Sequence, residues 1–77
     1  MNAADIAAAK VLPPPATRRA LRIAAGLTLQ ELADVVGVTR DAISKYELGH
    51  RDPRGPLRRI YAQALGDLRR FVAEPDQ

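Results

Sequence analysis

Residues 28–48, with the sequence TLQELADVVGVTRDAISKYEL, decide the fold of this 77-residue chain. They contain two short segments with helical signals, separated by only three residues. The first begins at a capping box, in which Thr28 caps the amide of Glu31 while the Glu31 side chain reaches back. Its apolar residues recur at the spacing of one helix face: Leu29, Leu32, Ala33 and Val36. Thr39 then caps a second helix, which Gly49 ends.

So short a connection forces the two helices to cross steeply, which is the helix-turn-helix arrangement. Ala33 is small where the second helix crosses closely, and Gly37 supplies the positive φ that the turn requires. Val38 fills the turn from inside, and Ile43 points back between the helices. The sequence therefore predicts a helix-turn-helix over these residues.

The rest of the chain has helical signals punctuated by Gly and Pro, so we predict an all-α fold. We expect a compact domain of five helices at residues 16–73, with helices at about 16–25, 29–36, 39–48, 56–65 and 67–73. Gly66 ends the fourth helix and Asp67 caps the fifth. Residues 1–15 form an N-terminal extension, a short helix and a Pro linker, and 74–77 form a tail. The inner faces of the first and fourth helices are expected to be Leu21, Ala24 and Ala25, and Leu57, Ile60, Tyr61, Ala64 and Leu65.

Composition limits the class of protein. The chain has 12 Lys and Arg against 9 Asp and Glu, a net charge of +3, and residues 16–72 hold 11 of those cations but 6 of those anions. Without Cys there is no disulfide and no thiolate metal site, and no apolar run approaches the roughly 20 residues that span a bilayer. The N-terminus lacks the pattern of a signal peptide, so we expect a cytoplasmic protein without a membrane partner.

Catalysis has no support in the residues present. The chain has one Ser and one His, and Ser44 and His50 form no nucleophile–base–orienter set. The sequence contains no phosphate-binding loop and no metal-ligand spacing. We therefore expect no enzyme activity, no cofactor and no metal.

Several segments resemble the lambda-repressor/Cro-type helix-turn-helix family: GLTLQELA at 26–33, GVTR at 37–40, and ISKYE at 43–47, followed by Gly49, Arg51 and Pro53. The resemblance covers roughly residues 16–72 and implies a five-helix bundle that binds operator DNA, usually as a symmetric dimer. It also places Arg22 against Glu47, as a partly buried ion pair that holds the recognition helix at its angle. Leu29 departs from the family, because many members have at that position a Gln that touches the DNA backbone.

The second helix of the motif, at 39–48, is the expected recognition helix. Its outer face carries four polar side chains: Arg40, Asp41, Ser44 and Lys45. Because a recognition helix enters the major groove N-terminal end first, we predict that these side chains contact base edges, and that Ala42 touches a thymine methyl group. The alternative is that Asp41 and Lys45 form an ordinary surface ion pair.

Phosphate contacts are expected from donors at helix starts and in the loop after the recognition helix. These residues are Thr28, Gln30, Thr39, His50, Arg51 and Arg54. Each Thr is also an N-cap, and solvation is the alternative for the loop arginines. Three Arg pairs, at 18–19, 58–59 and 69–70, are expected to be mostly solvent-facing, with one or two of these arginines reaching phosphate.

These features predict a repressor- or Cro-like transcriptional regulator that binds a palindromic double-stranded DNA site as a homodimer, with half-sites about 10 bp apart. Such small regulators resemble those of phages and mobile elements. The predicted dimer contact consists of Leu68, Phe71 and Val72. The alternative is an antitoxin- or antirepressor-like module whose main partner is another protein. That partner would use apolar residues at the two ends of the chain: Ile6, Val11, Leu12, Phe71 and Val72.

Overall fold

A computed structural model describes residues 2–8 and 11–73. Its helices are α1 Ala3–Ala8, α2 Pro15–Ala24, α3 Leu29–Val36, α4 Arg40–Leu48 and α5 Pro56–Ala73. These ranges contain no strand, so the prediction of an all-α fold is confirmed. No helix in the described part of the chain is both long and apolar enough to cross a membrane. Residues 74–77, the predicted tail, lie outside the described residues.

The helix-turn-helix forms through the local signals that the sequence carries. Thr28 Oγ1 accepts a hydrogen bond from the Glu31 amide at 3.0 Å, and the Thr28 amide donates to Glu31 Oε1 at 2.9 Å. Gly37 ends α3 with φ of 85°, a left-handed conformation that favours glycine. Thr39 Oγ1 then accepts from the Ala42 amide at 3.1 Å and starts α4.

The core lies between the helix-turn-helix and α5. Three residues from each of α3, α4 and α5 are at most 8% exposed: Leu32, Ala33 and Val36; Ala42, Ile43 and Tyr46; Tyr61, Ala64 and Leu65. Helix α2 packs against α4 and α5, yet its buried side chains are those of Arg18 and Arg22. The domain therefore joins a small apolar core to a polar contact between α2 and α4.

The expectation of five helices within 16–73 is wrong, because the predicted fourth and fifth helices are one continuous helix, α5. Gly66 does not adopt the left-handed conformation that would end a helix. Asp67 is not a cap: its carboxylate accepts hydrogen bonds from Gln63 and Arg70 along the helix surface. Leu65 is buried and Leu68 packs against the core, so tertiary packing favours continuing the helix through Gly66. The domain thus has four helices, α2 to α5, and α1 belongs to the extension.

Two residues expected on inner helix faces are exposed instead. Ala24 lies on the outer side of α2, and Ile60 is 44% exposed on α5. In α2 the buried position belongs to Arg22, whereas in α5 Tyr61, Ala64 and Leu65 are buried as expected. The amphipathic face of α2 is therefore rotated slightly from the face that the apolar spacing alone predicts.

The Pro linker leads directly into the domain. Pro15 is the first residue of α2, and the Pro14 carbonyl accepts hydrogen bonds from the amides of Thr17 and Arg18, as expected where a proline opens a helix. Leu12 packs against the core, so the extension is attached to the domain at this point.

Tyr61 provides a test of the core. Its hydroxyl is buried and finds no hydrogen-bond partner among the described residues. Burial of that hydroxyl, reinforced by the negative charge of Glu47, raises the pKa of Tyr61 above its ordinary value. A buried, unpaired hydroxyl costs about 1–3 kcal/mol, so we expect Tyr61→Phe to leave the free energy of unfolding unchanged or higher at neutral pH. Urea denaturation followed by circular dichroism measures it.

The same variant changes the response to alkali. Above pH ~10 the tyrosine of the unfolded chain loses its proton while that of the folded chain keeps it, so wild-type stability falls by up to about 1.4 kcal/mol per pH unit. Tyr61→Phe should lack this part of the decrease. Tyr61→Leu, which removes the ring contact with Tyr46, should be destabilised at every pH. A marked destabilisation by Tyr61→Phe at neutral pH would contradict the view that the Tyr61 hydroxyl is unpaired.

Candidate nucleic-acid interface

Helix α4 has a buried face and an exposed polar face. Ala42, Ile43, Tyr46 and Glu47 are at most 8% exposed. Arg40, Asp41 and Lys45 are exposed, and Ser44 is half-buried between the two faces. The structure thus brings the four predicted base-contacting residues together on one side of a single helix. Ala42 faces the core, so the predicted contact of Ala42 with a thymine methyl group is wrong.

Asp41 and Lys45 are joined across one turn of the exposed face. Lys45 Nζ lies 3.0 Å from Asp41 Oδ2, and both side chains remain about half or more exposed. The surface ion pair that the sequence left open as an alternative is therefore present. An exposed pair of this kind contributes at most about 1 kcal/mol, so either partner can leave it at little cost. Arg40 forms no ion pair with the described residues.

The predicted phosphate-contacting residues lie in the first turns of α3 and α4 and in the loop that follows α4. Thr28 and Thr39 are exposed at the starts of α3 and α4. Each Oγ1 accepts a hydrogen bond from a backbone amide, so the hydroxyl hydrogen can still be donated to a phosphate. Gln30 is exposed and donates from Nε2 to Asp34 Oδ1 at 2.8 Å. The loop between α4 and α5 exposes three further side chains: His50, Arg51 and Arg54.

That loop borders an open, mostly polar depression beside the C-terminal end of α4. Its lining combines the end of α4, the loop and the start of α5: Tyr46, Gly49, His50, Arg51, Asp52, Pro53, Arg54 and Leu57. Pro53 is buried and fixes the middle of the loop. The charged residues on either side of Pro53 therefore project from an anchored segment.

Arg22 and Glu47 form the ion pair that the family resemblance implied. Arg22 Nε donates to Glu47 Oε2 at 2.7 Å and Nη2 donates to Oε1 at 2.9 Å, a two-pronged geometry. Their side chains are 11% and 4% exposed. Arg22 Nη1 also donates to the carbonyl of Leu27 at 2.9 Å, next to the start of α3. The hydrogen bonds to Glu47 raise the pKa of Arg22 above its ordinary value, although burial opposes this.

Arg18 is a buried residue that the sequence pattern does not reveal. It belongs to the arginine pairs expected to face solvent, but it is 5% exposed and its guanidinium donates to groups in three other segments. Arg22 follows it by four positions, so both lie on the same face of α2. That spacing is visible in the sequence, yet a pair of arginines at i and i+4 is more often exposed.

No metal centre is formed by the described residues, which include no group of three or more His, Cys, Asp or Glu side chains that could hold an ion. Lys10, the one cation of the N-terminal extension, falls outside the described residues.

The short connection between α3 and α4, which pack together, and the exposed polar face of α4 define a helix-turn-helix domain. A family model described as Helix-turn-helix matches residues 19–69, more than half of the chain. The chain therefore belongs to the XRE/lambda-repressor-type helix-turn-helix family, whose members are DNA-binding regulators, and the resemblance seen in the sequence is confirmed. No curated protein and no solved structure matches the chain.

The Arg22–Glu47 pair makes a sharp prediction about stability. Glu47→Gln leaves Arg22 as a poorly solvated charge, so we expect a decrease of about 3–5 kcal/mol in the free energy of unfolding, measured by urea denaturation. Asp41→Asn is the matched control, since it removes the same charge from an exposed ion pair on the same helix. It should cost less than about 1 kcal/mol. If both variants lowered the free energy of unfolding equally, burial would not determine how much the Arg22–Glu47 pair contributes to stability.

Proposed function

We propose that this protein is a sequence-specific, double-stranded DNA-binding transcriptional regulator of the repressor/Cro kind, with α4 as its recognition helix. In this proposal α4 enters the major groove and its exposed polar face reads base edges. Arg40 and Lys45 donate to guanine O6 and N7, Asp41 accepts from cytosine N4, and Ser44 adapts to either. Membership of the family supports DNA binding, and the proposal adds the base contacts of these four residues.

The two-faced character of α4 is the observation that carries the proposal. Its inner face is anchored by apolar packing and by the Glu47 ion pair, so its outer face is held rigidly. Arg40 is exposed at the N-terminal end of α4, which leads into the groove, and Lys45 is exposed on the same outer face in the last turn of the helix. Two exposed cations on a helix whose other face is packed into the core can donate to base edges, whereas an apolar protein partner would leave them without acceptors.

Phosphate binding would fix the register of the helix in the groove. Exposed donors lie at the starts of α3 and α4, and further donors lie in the loop that follows α4. The residues proposed to contact phosphates are Thr28, Gln30, Thr39, His50, Arg51 and Arg54. Two positively charged ends of helices and two loop arginines are the chemistry that phosphate groups require.

Dimerisation through the C-terminal part of α5 belongs to the same proposal. Phe71 is 63% exposed and Val72 is 41% exposed, and Phe71 lines a small apolar depression with Ala25, Leu27 and Leu68. Large apolar side chains exposed together on one helix favour a protein contact. A symmetric dimer would present two recognition helices to a palindromic site and would repress by occupying a promoter.

The antitoxin- or antirepressor-like alternative uses overlapping residues. Val11 is 69% exposed, as a protein-binding surface requires, but Leu12 packs against the domain and is not free to bind a partner. The side chain of Ile6 lies outside the described part of the chain. Co-purification of a stoichiometric partner, with no DNA motif enriched, would favour this alternative.

Selection of binding sites from random DNA tests the proposal directly. We expect an enriched palindromic motif, and we expect Arg40→Ala to weaken binding to it by about 1–3 kcal/mol and to relax the preference at one base pair of each half-site. Fluorescence anisotropy with the motif and with single-base variants measures both effects.

Arg59→Ala is the matched control, because Arg59 is an exposed arginine on α5 outside the proposed contacts. It should weaken every sequence alike and leave the base preference unchanged. Absence of an enriched motif, together with binding insensitive to Arg40→Ala and Lys45→Ala, would overturn sequence-specific recognition by α4.

The dimer contact is tested by Phe71→Asp. Because Phe71 is exposed, the variant should fold normally, whereas a buried charge in an apolar interface should dissociate the dimer and weaken binding to the palindrome at least tenfold. Sedimentation equilibrium measures the oligomeric state. Val11→Asp, at a comparably exposed apolar position, should leave it unchanged. A dimer that survives Phe71→Asp but not Val11→Asp would move the interface to the extension.

A further inference from the structure

Arg18 connects three segments of the chain through one buried guanidinium. Nε donates to the carbonyl oxygen of Pro13 at 2.8 Å. Nη1 donates to the carbonyl oxygen of Tyr46 and to Asp52 Oδ1, at 3.1 Å each. These acceptors belong to the Pro linker, to the C-terminal turn of α4 and to the loop that follows α4.

Stability alone does not account for an arginine at this position. Its side chain is 6% exposed, and removing a guanidinium from water costs several kcal/mol that an apolar side chain would not incur. The charged partner, Asp52, has a side chain that is 58% exposed, so the ion pair itself contributes little. What arginine supplies, and an apolar residue would not, is a fixed link from α2 to the loop.

The loop so linked is the one that carries the proposed phosphate contacts. Asp52 directly follows Arg51, and Pro53, which is buried, directly precedes Arg54. Residues 52 and 53 are thus held while the arginines on both sides remain exposed. The first residue of α2 also packs against the start of the loop, since a Cβ at Gly49 would lie 3.3 Å from Cγ of Pro15.

We infer that Arg18 is a positioning residue for DNA binding: through Asp52 it holds the loop in the position from which Arg51 and Arg54 reach phosphates. The inference rests on the proposed function, because it assumes that this loop meets the DNA backbone. Arg18 itself touches no DNA. The same Nη1 donates to the Tyr46 carbonyl, so one guanidinium holds both the loop and the C-terminal end of the recognition helix.

Asp52→Asn tests the inference with the full chain, since the side chain is exposed enough for the variant to fold. The readout is the salt dependence of binding to a mixed-sequence DNA duplex. The slope of log K against log salt falls in magnitude by about 0.9 for each phosphate that the protein no longer neutralises, which corresponds to a roughly five-fold weaker affinity at physiological salt. Asp52→Asn should show such a decrease. Removing a negative charge beside DNA would by itself strengthen binding. A weaker affinity for Asp52→Asn can therefore not be explained by the change in charge alone.

Matched variants separate positioning from charge and from folding. Asp67→Asn removes the same charge from a side chain that is 57% exposed and paired with an arginine on α5, so its slope should equal that of the wild type. Asp52→Glu keeps the carboxylate and should restore most of the slope. In an Arg51→Ala/Arg54→Ala background, Asp52→Asn should have no further effect. Arg18→Gln should show the same decrease in slope as Asp52→Asn when binding is measured at a temperature at which the variant is folded.

Each outcome decides between the inference and the proposed function. If Arg51→Ala/Arg54→Ala lowers the slope while Asp52→Asn and Arg18→Gln do not, positioning by Arg18 is overturned and the proposed function stands. If Arg51→Ala/Arg54→Ala leaves the slope unchanged, the loop does not meet phosphates, and the inference fails even when site selection yields a motif. A wild-type chain that binds no DNA overturns both.

Discussion

The orientation of α4 depends on the ion pair between Arg22 and Glu47. Two parallel hydrogen bonds fix the guanidinium against the carboxylate, and both side chains are almost removed from water. Because such a pair tolerates little change in distance or angle, it sets where α4 lies relative to α2. The third donor of Arg22, directed at the carbonyl of Leu27, ties the start of the helix-turn-helix to the same point.

Polar contacts have this role because the apolar core is small. Nine buried apolar residues come from α3, α4 and α5, and three of them are alanines. None of these nine residues comes from α2, whose buried side chains are those of Arg18 and Arg22. The two arginines contact α4 at two points one helical turn apart along α2. Arg22 binds the Glu47 side chain, and Arg18 donates to the carbonyl of Tyr46 near the C-terminal end of α4.

Local signals are the part of the fold that the sequence could predict. The capping box at Thr28 and the left-handed Gly37 depend on residues within a few positions of each other, so their patterns can be recognised without tertiary structure. The break expected at Gly66 was wrong because burial of Leu65 and packing of Leu68 outweigh local punctuation. The role of Arg18 was hidden for a similar reason: two of its acceptors are backbone carbonyls, and the Tyr46 carbonyl is 28 residues away. Any residue type can provide such an acceptor, so no sequence pattern marks it.

The same contacts explain how a chain with a net charge of only +3 can present a basic surface. Within the described residues, the acidic side chains of the domain are engaged: Glu47 and Asp52 with the two inner arginines, Asp41 and Asp67 with cations on their own helices, and Glu31 and Asp34 with local donors. Arg40, Arg51 and Arg54 form no ion pair in that part of the chain and are exposed. Because the anions of the domain are neutralised locally, these three cations remain exposed on α4 and on the loop that follows it. In the proposed function, counterion release from DNA would depend on these local cations more than on the total charge.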